Sequence, residues 1–526
     1  MKSKIFYTSL LCMFIILSSC KDSLIVPQKG ATSTEDFYKT DSDAQEAIAA
    51  VYSAWRGSQF NQYFLKNLLS DDIITGGGAR GDNAQFEQVN EYNFGPANTT
   101  VSGVFSSYYN IIYLSNQVIN NLETDTDIKA RANAEAKVVR AAIYFDLVTL
   151  WGAVPLVTAE LTPSEYQQPN GNIADIWKQI ETDYTEAIAS GALPKKGSAK
   201  NLAEPARLTE EAAIAFLGKA QVFQGKNAEA ATTLKKIINP GKYSLYADYE
   251  NVLRAVADFN NESIFEFNSI NDPDNALNQG NTILGTMLGY RSDKLNLTGY
   301  YSGVQPIYPA GWGFASPRVG LYNAFVQMEG TNGYRLNNTI KTYKDLMAMT
   351  ITLNPGTGLY GNEGYFNWKQ RYIGSEVIPT SFGFTITANY RVMRYAEVLL
   401  LAAEASIKSN DPASALTYVN MVRERAHLTK LGSVTLDDIK KEKRLELCFE
   451  GVRFQDLVRW GDAKSALENQ GKNVPVFFGV KGDGSFDVQY PYTNTVFGFI
   501  TGKHELLPFP EHEMNVNKQI DQNNNW

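Results

Sequence analysis

A mainly α fold, in which a tetratricopeptide-like helical scaffold carries a loop-rich subdomain with short strands, follows from three features of the sequence. Apolar residues recur at helical spacing through much of 33–242 and again from 391 onward. In the first of these parts, Ala212, Ala215, Gly218, Ala220 and Gly225 resemble the small-residue positions at which tetratricopeptide helix pairs pack closely. Between the two parts, 243–390 is rich in Gly, Asn and Tyr and holds only short periodic stretches. The 526 residues, 44% hydrophobic and 20% charged, suffice for one large core or two cores sharing an interface.

Lys2 and Lys4 precede an apolar run over 5–17, and Ser18, Ser19 and Cys20 follow it. The run is short for a membrane span, and the four residues ending in Cys20 read as a bacterial lipobox, after which the cysteine is acylated. The expected division is a lipoprotein signal peptide at 1–19 and a lipidated tether at 20–32, polar and interrupted by Pro27 and Gly30. Cys12 falls in the discarded segment, so Cys448 is left as a free thiol and no disulfide forms within the mature chain.

The N-terminal part of the scaffold, with an early binding loop, is assigned to 33–242. A helix is expected over 33–55, with Ser33 and Asp36 at capping-box spacing and Phe37, Ala44, Ile48, Val51 and Trp55 on one face. The loop at 71–83 contains a triple glycine that is no P-loop, because no G-K-[ST] follows it. It offers Asp72, Arg80 and Asn83 as ligand-binding candidates, and Tyr92 joins them from an aromatic turn before Gly95 and Pro96. Further helices are expected over 104–121, 128–150, 173–189, 209–225 and 227–238.

The loop-rich ligand-binding subdomain is assigned to 243–390, with a strand at 263–267 and short helices near 317–328 and 342–347. Tyr290, Arg291, Tyr301, Tyr308, Trp312 and Phe314 crowd into one span among glycines that include Gly299, Gly303, Gly311 and Gly313. Such a span suits a neutral polar ligand such as a sugar, whose apolar ring face stacks on an aromatic while amides meet its hydroxyls. Trp312, the largest ring, and Tyr301 are the leading candidates.

The C-terminal scaffold helices and a wrapping tail are assigned to 391–526. Helical segments are expected from 391, from Asp411 with Pro412 at the first helical position, and from Thr435 with Asp438 in a capping box, the last running to Gly461. Arg394, Glu397, Glu404, Arg444, Glu446, Glu450, Arg453 and Trp460 stand among apolar residues there and are assigned structural roles. A buried charge must be paired, and alternating Arg and Glu on packed helices neutralise one another. A loop is expected over 473–498, then a proline-flanked apolar stretch at 506–510 and an Asn-rich tail.

The formal charge of -8 and the lack of a basic stripe exclude a nucleic-acid partner. The three histidines, His427, His504 and His512, form no metal motif, and neither H-E-x-x-H nor G-x-S-x-G occurs, so no metal or cofactor is expected. A glycoside hydrolase would need two carboxylates flanking the bond, with Asp71, Asp72, Glu329, Glu363 and Glu376 as the available groups.

The lipobox, RYAEVLLLAAEA at 394–405, RLELCFEGVRFQDLVRWG at 444–461 and LLPFPEHEMNVN at 506–517 together resemble the SusD/RagB family of surface glycan-binding lipoproteins from Bacteroidota. The resemblance implies a SusD-like fold and a non-catalytic protein that captures an oligosaccharide. It also implies a lid over a SusC-like TonB-dependent transporter, anchored by Cys20 in the outer membrane and facing the cell exterior. Lys21 and Asp22 resemble the family's surface-export signal. By order, 71–92 and 290–314 correspond to the family's binding loops, whereas Phe105 stands where many relatives carry tryptophan, so starch is not implied. A lid that binds peptides, or only its transporter, is the alternative.

Overall fold

The computed structural model describes residues 37–269, 282–297, 307, 310–380 and 383–526. Cys20 with its lipobox, the Ser33–Asp36 cap, Tyr301 and Tyr308 lie outside the described residues. Helix α1 (Asp41–Leu68) opens on Thr40, whose hydroxyl accepts from Asp43 N at 3.1 Å while the Asp43 carboxylate accepts from Thr40 N at 2.7 Å. That reciprocal cap starts the helix later than the spacing at Ser33 predicts, and the apolar face carries it beyond Trp55.

Strand β1 (Ile73–Gly76) and helix α2 (Ala84–Glu91) follow, then α3 (Thr99–Asn121), α4 (Asp127–Trp151), α5 (Ile173–Ala189), α6 (Glu210–Phe223) and α7 (Asn227–Ile238). The caps are the polar residues that precede each apolar run: Asn98 for α3, Thr126 for α4, Asn172 for α5 and Thr209 for α6. Neighbouring helices pack in sequence, α3 on α1 and α4, α5 on α4, α7 on α6. A Cβ at Gly218 would meet Leu234 Cγ at 2.6 Å, so the glycine lets α6 and α7 approach. Phe105 is buried edge-on against Trp151 and Phe509, at 5.4 and 5.9 Å, and belongs to this packing.

Strand β2 (Ser263–Phe267), helix α8 (Thr282–Leu288), strand β3 (Phe314–Pro317), helix α9 (Val319–Glu329) and strand β4 (Leu359–Tyr360) belong to the middle span. Strand β5 (Tyr390–Arg394) comes next and corrects the helix expected from 391. It pairs antiparallel with β2, Glu266 opposite Arg391 and Ser263 opposite Arg394. Helix α10 (Tyr395–Lys408) begins only after it, and α11 (Pro412–Arg425) is capped by Asp411 with proline in its first turn. Thr435 and Asp438 form the capping box of α12 (Leu436–Leu447). The chain then breaks at Phe449 and Gly451, with φ of 69° and 74°, before α13 (Arg453–Trp460), so the third segment is two helices. Strands β6 (Asn473–Val480) and β7 (Phe486–Thr493) form a hairpin in place of the expected loop, with β6 also pairing β4. Phe486, Val488, Tyr490 and Tyr492 alternate in the sequence as a strand does, although the pairing of β7 with β6 shifts register between Gln489 and Tyr492.

Buried ion pairs join these elements. Arg394 reaches Glu262, Glu446 at 3.1 Å and Glu450 at 2.6 Å, while Arg425 reaches Glu446 and, at 3.2 Å, Glu262. Arg335 pairs with Glu329 at 2.8 Å, Glu442 at 2.7 Å and Glu446 at 3.2 Å, and Lys369 with Glu450 at 2.6 Å. Burial alone would push the Glu446 carboxyl up, but the guanidiniums of Arg425, Arg394 and Arg335 outweigh it and hold it down at about 2. Elsewhere Glu404 takes Arg459 at 2.6 Å, Lys408 at 2.6 Å and Trp460 Nε1 at 3.1 Å, and Glu397 takes Lys219 at 2.8 Å.

The C-terminal tail wraps the end of α4. Trp151 Nε1 donates to Pro508 O at 3.0 Å, Leu507 N to Leu150 O at 2.7 Å and Asn523 Nδ2 to Trp151 O at 2.9 Å. His504 is buried among Tyr92, Phe94, Phe499 and Trp526, its Nδ1 accepting from Ile500 N at 2.8 Å. Burial, helped by Lys503, pushes its pKa down to about 4. The folded pKa lies below the unfolded value, so His504 contributes stability above about pH 6.5 that is lost as pH falls through about 4. Thermal melts across this window are expected to show a fall in the wild type that is smaller in H504F.

Candidate functional site

Antiparallel pairing of β1 with β3 sets Gly76 opposite Phe314 and brings the early loop against the middle span. Gly77 N donates to Gly313 O at 3.1 Å. The glycines at this seam are required by closeness: a Cβ at Gly76 would lie 2.2 Å from Gly313 O, and one at Gly311 would lie 2.1 Å from Gly289 C. Gly311→Ala is therefore expected to cost about 1–3 kcal/mol in urea unfolding, since backbone must move to admit it. Gly320→Ala, a helical position with open space around it, should be neutral or stabilising.

Trp312 sits on this seam. Its N–H donates to Thr286 O at 2.8 Å and Gly313 N to Gly289 O at 2.8 Å, so the backbone is fixed on the end of α8 while the side chain is 41% exposed. Arg291 Nη1 donates to Trp312 O at 3.3 Å, and its Nε and Nη2 donate to Asp293 at 2.7 and 2.6 Å. Its guanidinium lies beside Gly78, whose N–H donates to Asp82 Oδ2 at 2.7 Å. Arg80, held by Glu91, also reaches Tyr360 Oη and Asn494 Oδ1, both at 3.3 Å. Asn83 caps α2 by accepting from Phe86 N at 3.2 Å.

Four of the sequence candidates are corrected to the interior. Asp72 is 2% exposed and paired with Arg444 at 2.8 Å, while Asp71 takes Arg444 at 2.9 Å and Arg453 at 2.8 Å. Two arginines from α12 and α13 thus hold both aspartates in the interior beside the start of β1. Tyr92 is buried with its hydroxyl on Leu69 O, and Tyr290 is buried with its hydroxyl on Asn367 O at 3.0 Å. Phe314 is buried edge-on against Phe64 and Phe86. Trp312, Arg291, Arg80 and Asn83 remain at or near the surface. Sequence reading missed Asp82 and Asp293, which stand beside Arg291, and the exposed Tyr490 and Tyr492 on β7. The period-two pattern of β7 was the signal for the tyrosines.

An exposed indole framed by a guanidinium, carboxylates and backbone amides can stack on and hydrogen-bond a neutral polyhydroxylated ligand. Hydrolysis would instead need a carboxylic acid raised toward neutrality. The hydrogen bonds from Arg291 hold the Asp293 carboxyl below its usual range; burial raises the Asp72 and Glu329 carboxyls, but each is bound inside the fold, Asp72 to Arg444 and Glu329 to Arg335, and Glu376 is bound to Arg254 at 3.1 Å. Glu363 Oε2 accepts from Val319 N at 2.7 Å, at the start of α9. Among the described residues, no group of three His, Cys, Asp or Glu side chains is placed to hold a metal ion, and no helix is long and apolar enough to cross a membrane.

Fold and site together define a helical scaffold that presents loops for binding. The chain belongs to the SusD family, matching it over residues 261–526, while 31–221 matches a family described as starch-binding associating with outer membrane. It is 27% identical over 540 residues to SusD-like protein P2 of Formosa agariphila, covering 97% of each chain. A SusD-like protein of Bacteroides ovatus is 25% identical over 495 residues, 88% of this chain and 83% of that one. Among solved structures, a laminarin binding SusD-like protein shares 30% identity with a TM-score of 0.76, covering 93% of this chain and 100% of that one. Surface glycan-binding protein A from Bacteroides thetaiotaomicron in complex with laminarihexaose shares 22% identity with a TM-score of 0.73, covering 92% and 99%.

Proposed function

We propose that this protein is a non-catalytic glycan receptor of the outer-membrane surface, anchored through Cys20, which captures an oligosaccharide and passes it to a SusC-like TonB-dependent transporter. The observation that carries the binding role is Trp312, a ring left in solvent while its backbone is locked to α8. The residues proposed to meet the ligand are Trp312, Arg291, Arg80 and Asn83, joined by Tyr301 and Tyr308 of the same span. The 30% identity to a laminarin binding relative makes a β-glucan of the laminarin type the first ligand to try.

The test is calorimetry of the soluble protein, begun after Cys20, against a panel of oligosaccharides that includes laminarihexaose, with reducing ends assayed in parallel. Saturable binding without new reducing ends is expected. New reducing ends would replace the receptor with a hydrolase. A folded protein that co-purifies with the transporter and binds nothing on the panel would leave only the lid.

A further inference from the structure

We propose that Asp293 is a positioning residue that locks the Arg291 guanidinium as a hydrogen-bonding fork beside Trp312, so that the site takes uncharged sugars and turns away uronate- or sulfate-bearing ones. The inference rests on the receptor reading and adds a charge filter to it. Arg291 donates to Asp293 through Nε and Nη2 at 2.7 and 2.6 Å, and to Trp312 O through Nη1 at 3.3 Å. Three of its five N–H donors are thus engaged, and the other two meet no acceptor among the described residues.

The fork is held from both ends. The Arg291 stem runs beside Gly313, where a Cβ would meet its Cγ at 2.6 Å, and its Nη1 lies 2.9 Å from the place a Cβ of Gly78 would take. Asp293 sits in a turn closed by Leu295 N donating to Arg291 O at 2.9 Å, and its own carbonyl accepts from Asn354 Nδ2 at 3.1 Å. Yet the Asp293 side chain is 53% exposed, against 18% for Arg291. An ion pair this open adds little to stability, so the effect of the fork is to fix the plane of the guanidinium before a sugar arrives.

The same pairing decides which sugars fit. A free guanidinium would recruit a ligand carboxylate or sulfate. Here Asp293 already occupies one edge of it and stays ionised, its carboxyl held below the usual range by the hydrogen bonds from Arg291. Asp82 Oδ2 lies 3.1 Å from the same Gly78 Cβ position as Nη1, which brings a second carboxylate to the fork. Asp82 and Asp293 match Arg291 and the nearby Lys294, and Arg80 is held by Glu91 with Glu87 at 3.6 Å, so no positive charge is left over for an anion. An anionic group would have to displace Asp293 and approach Asp82, whereas sugar hydroxyls need only the two remaining donors.

The test is calorimetry of the soluble protein with laminarin and with carboxymethyl laminarin, which keeps the glucan backbone and adds carboxylates. The wild type is expected to bind laminarin at least about tenfold tighter than its carboxymethyl form. Asp293→Asn, which keeps the shape but frees the guanidinium, is expected to weaken laminarin about fivefold and to cut the preference to about twofold or less, with the melting temperature within about 2 °C of wild type. Unchanged laminarin affinity and preference in D293N, with W312A unable to bind, overturns the inference and leaves the receptor intact. Equal weakening of both polymers overturns the charge filter, and a large fall in melting temperature beside it makes Asp293 a structural residue. A wild type that binds both polymers equally also overturns the filter. A wild type that binds neither overturns the β-glucan reading and the inference with it.

Discussion

Glu446→Gln is expected to destabilise the fold by about 3–5 kcal/mol, the cost of removing one member from a buried ionic network. Glu446 is fully buried and receives Arg335, Arg394 and Arg425, themselves buried. Glutamine keeps the shape and one acceptor but leaves cationic charge uncompensated where water cannot reach it. Urea unfolding would show a lower midpoint at an unchanged slope. A loss below about 1 kcal/mol would mean that Glu262, Glu329, Glu442 and Glu450 can neutralise the three arginines without it. The same group sets an acid limit. Its folded pKa of about 2 lies below the ordinary value of 4.5, so its contribution is complete above about pH 4.5 and is lost as pH falls through 2. Acid titration of the wild type should show that loss, and E446Q should show less of it.

Trp312→Ala is expected to raise the dissociation constant for an oligosaccharide by about thirtyfold or more, the scale of a central aromatic anchor truncated at an interface. Its ring is in solvent and its backbone is held by Thr286 and Arg291, so folding should change by no more than about 0.5 kcal/mol. That separation of effects is the diagnostic feature. Unchanged binding in W312A would move the site elsewhere along the seam, and a large fall in stability would make the ring a packing element after all.

The middle span shows where sequence reading works and where it stops. Trp312 and Phe314 are two residues apart with the same neighbouring glycines, yet one is in solvent and the other edge-on against Phe64 and Phe86. Aromatic content and glycine spacing do not distinguish them, because the facing surface comes from α1 and α2, far earlier in the chain. Asp72 reads as a loop carboxylate until Arg444, 372 residues later, is placed beside it.

What the sequence alone determined was local or cumulative. The caps at Asp411 and Thr435, the strand at 263–267, the bounds of α5 and α7, and the need for charges in the C-terminal helices to pair could all be read from residues within a few positions of one another. What only the tertiary structure decided was which polar and aromatic groups are spent inside and which are left for a ligand. It also decided that 390–394 is a strand, since β2, not helical periodicity, supplies the partner for its backbone. The reason is physical: capping and periodic burial act within a turn or two. The exposure of Trp312, the pairing of Asp72 and the seating of Tyr492 beside Tyr360 depend on segments that meet only once the chain has closed.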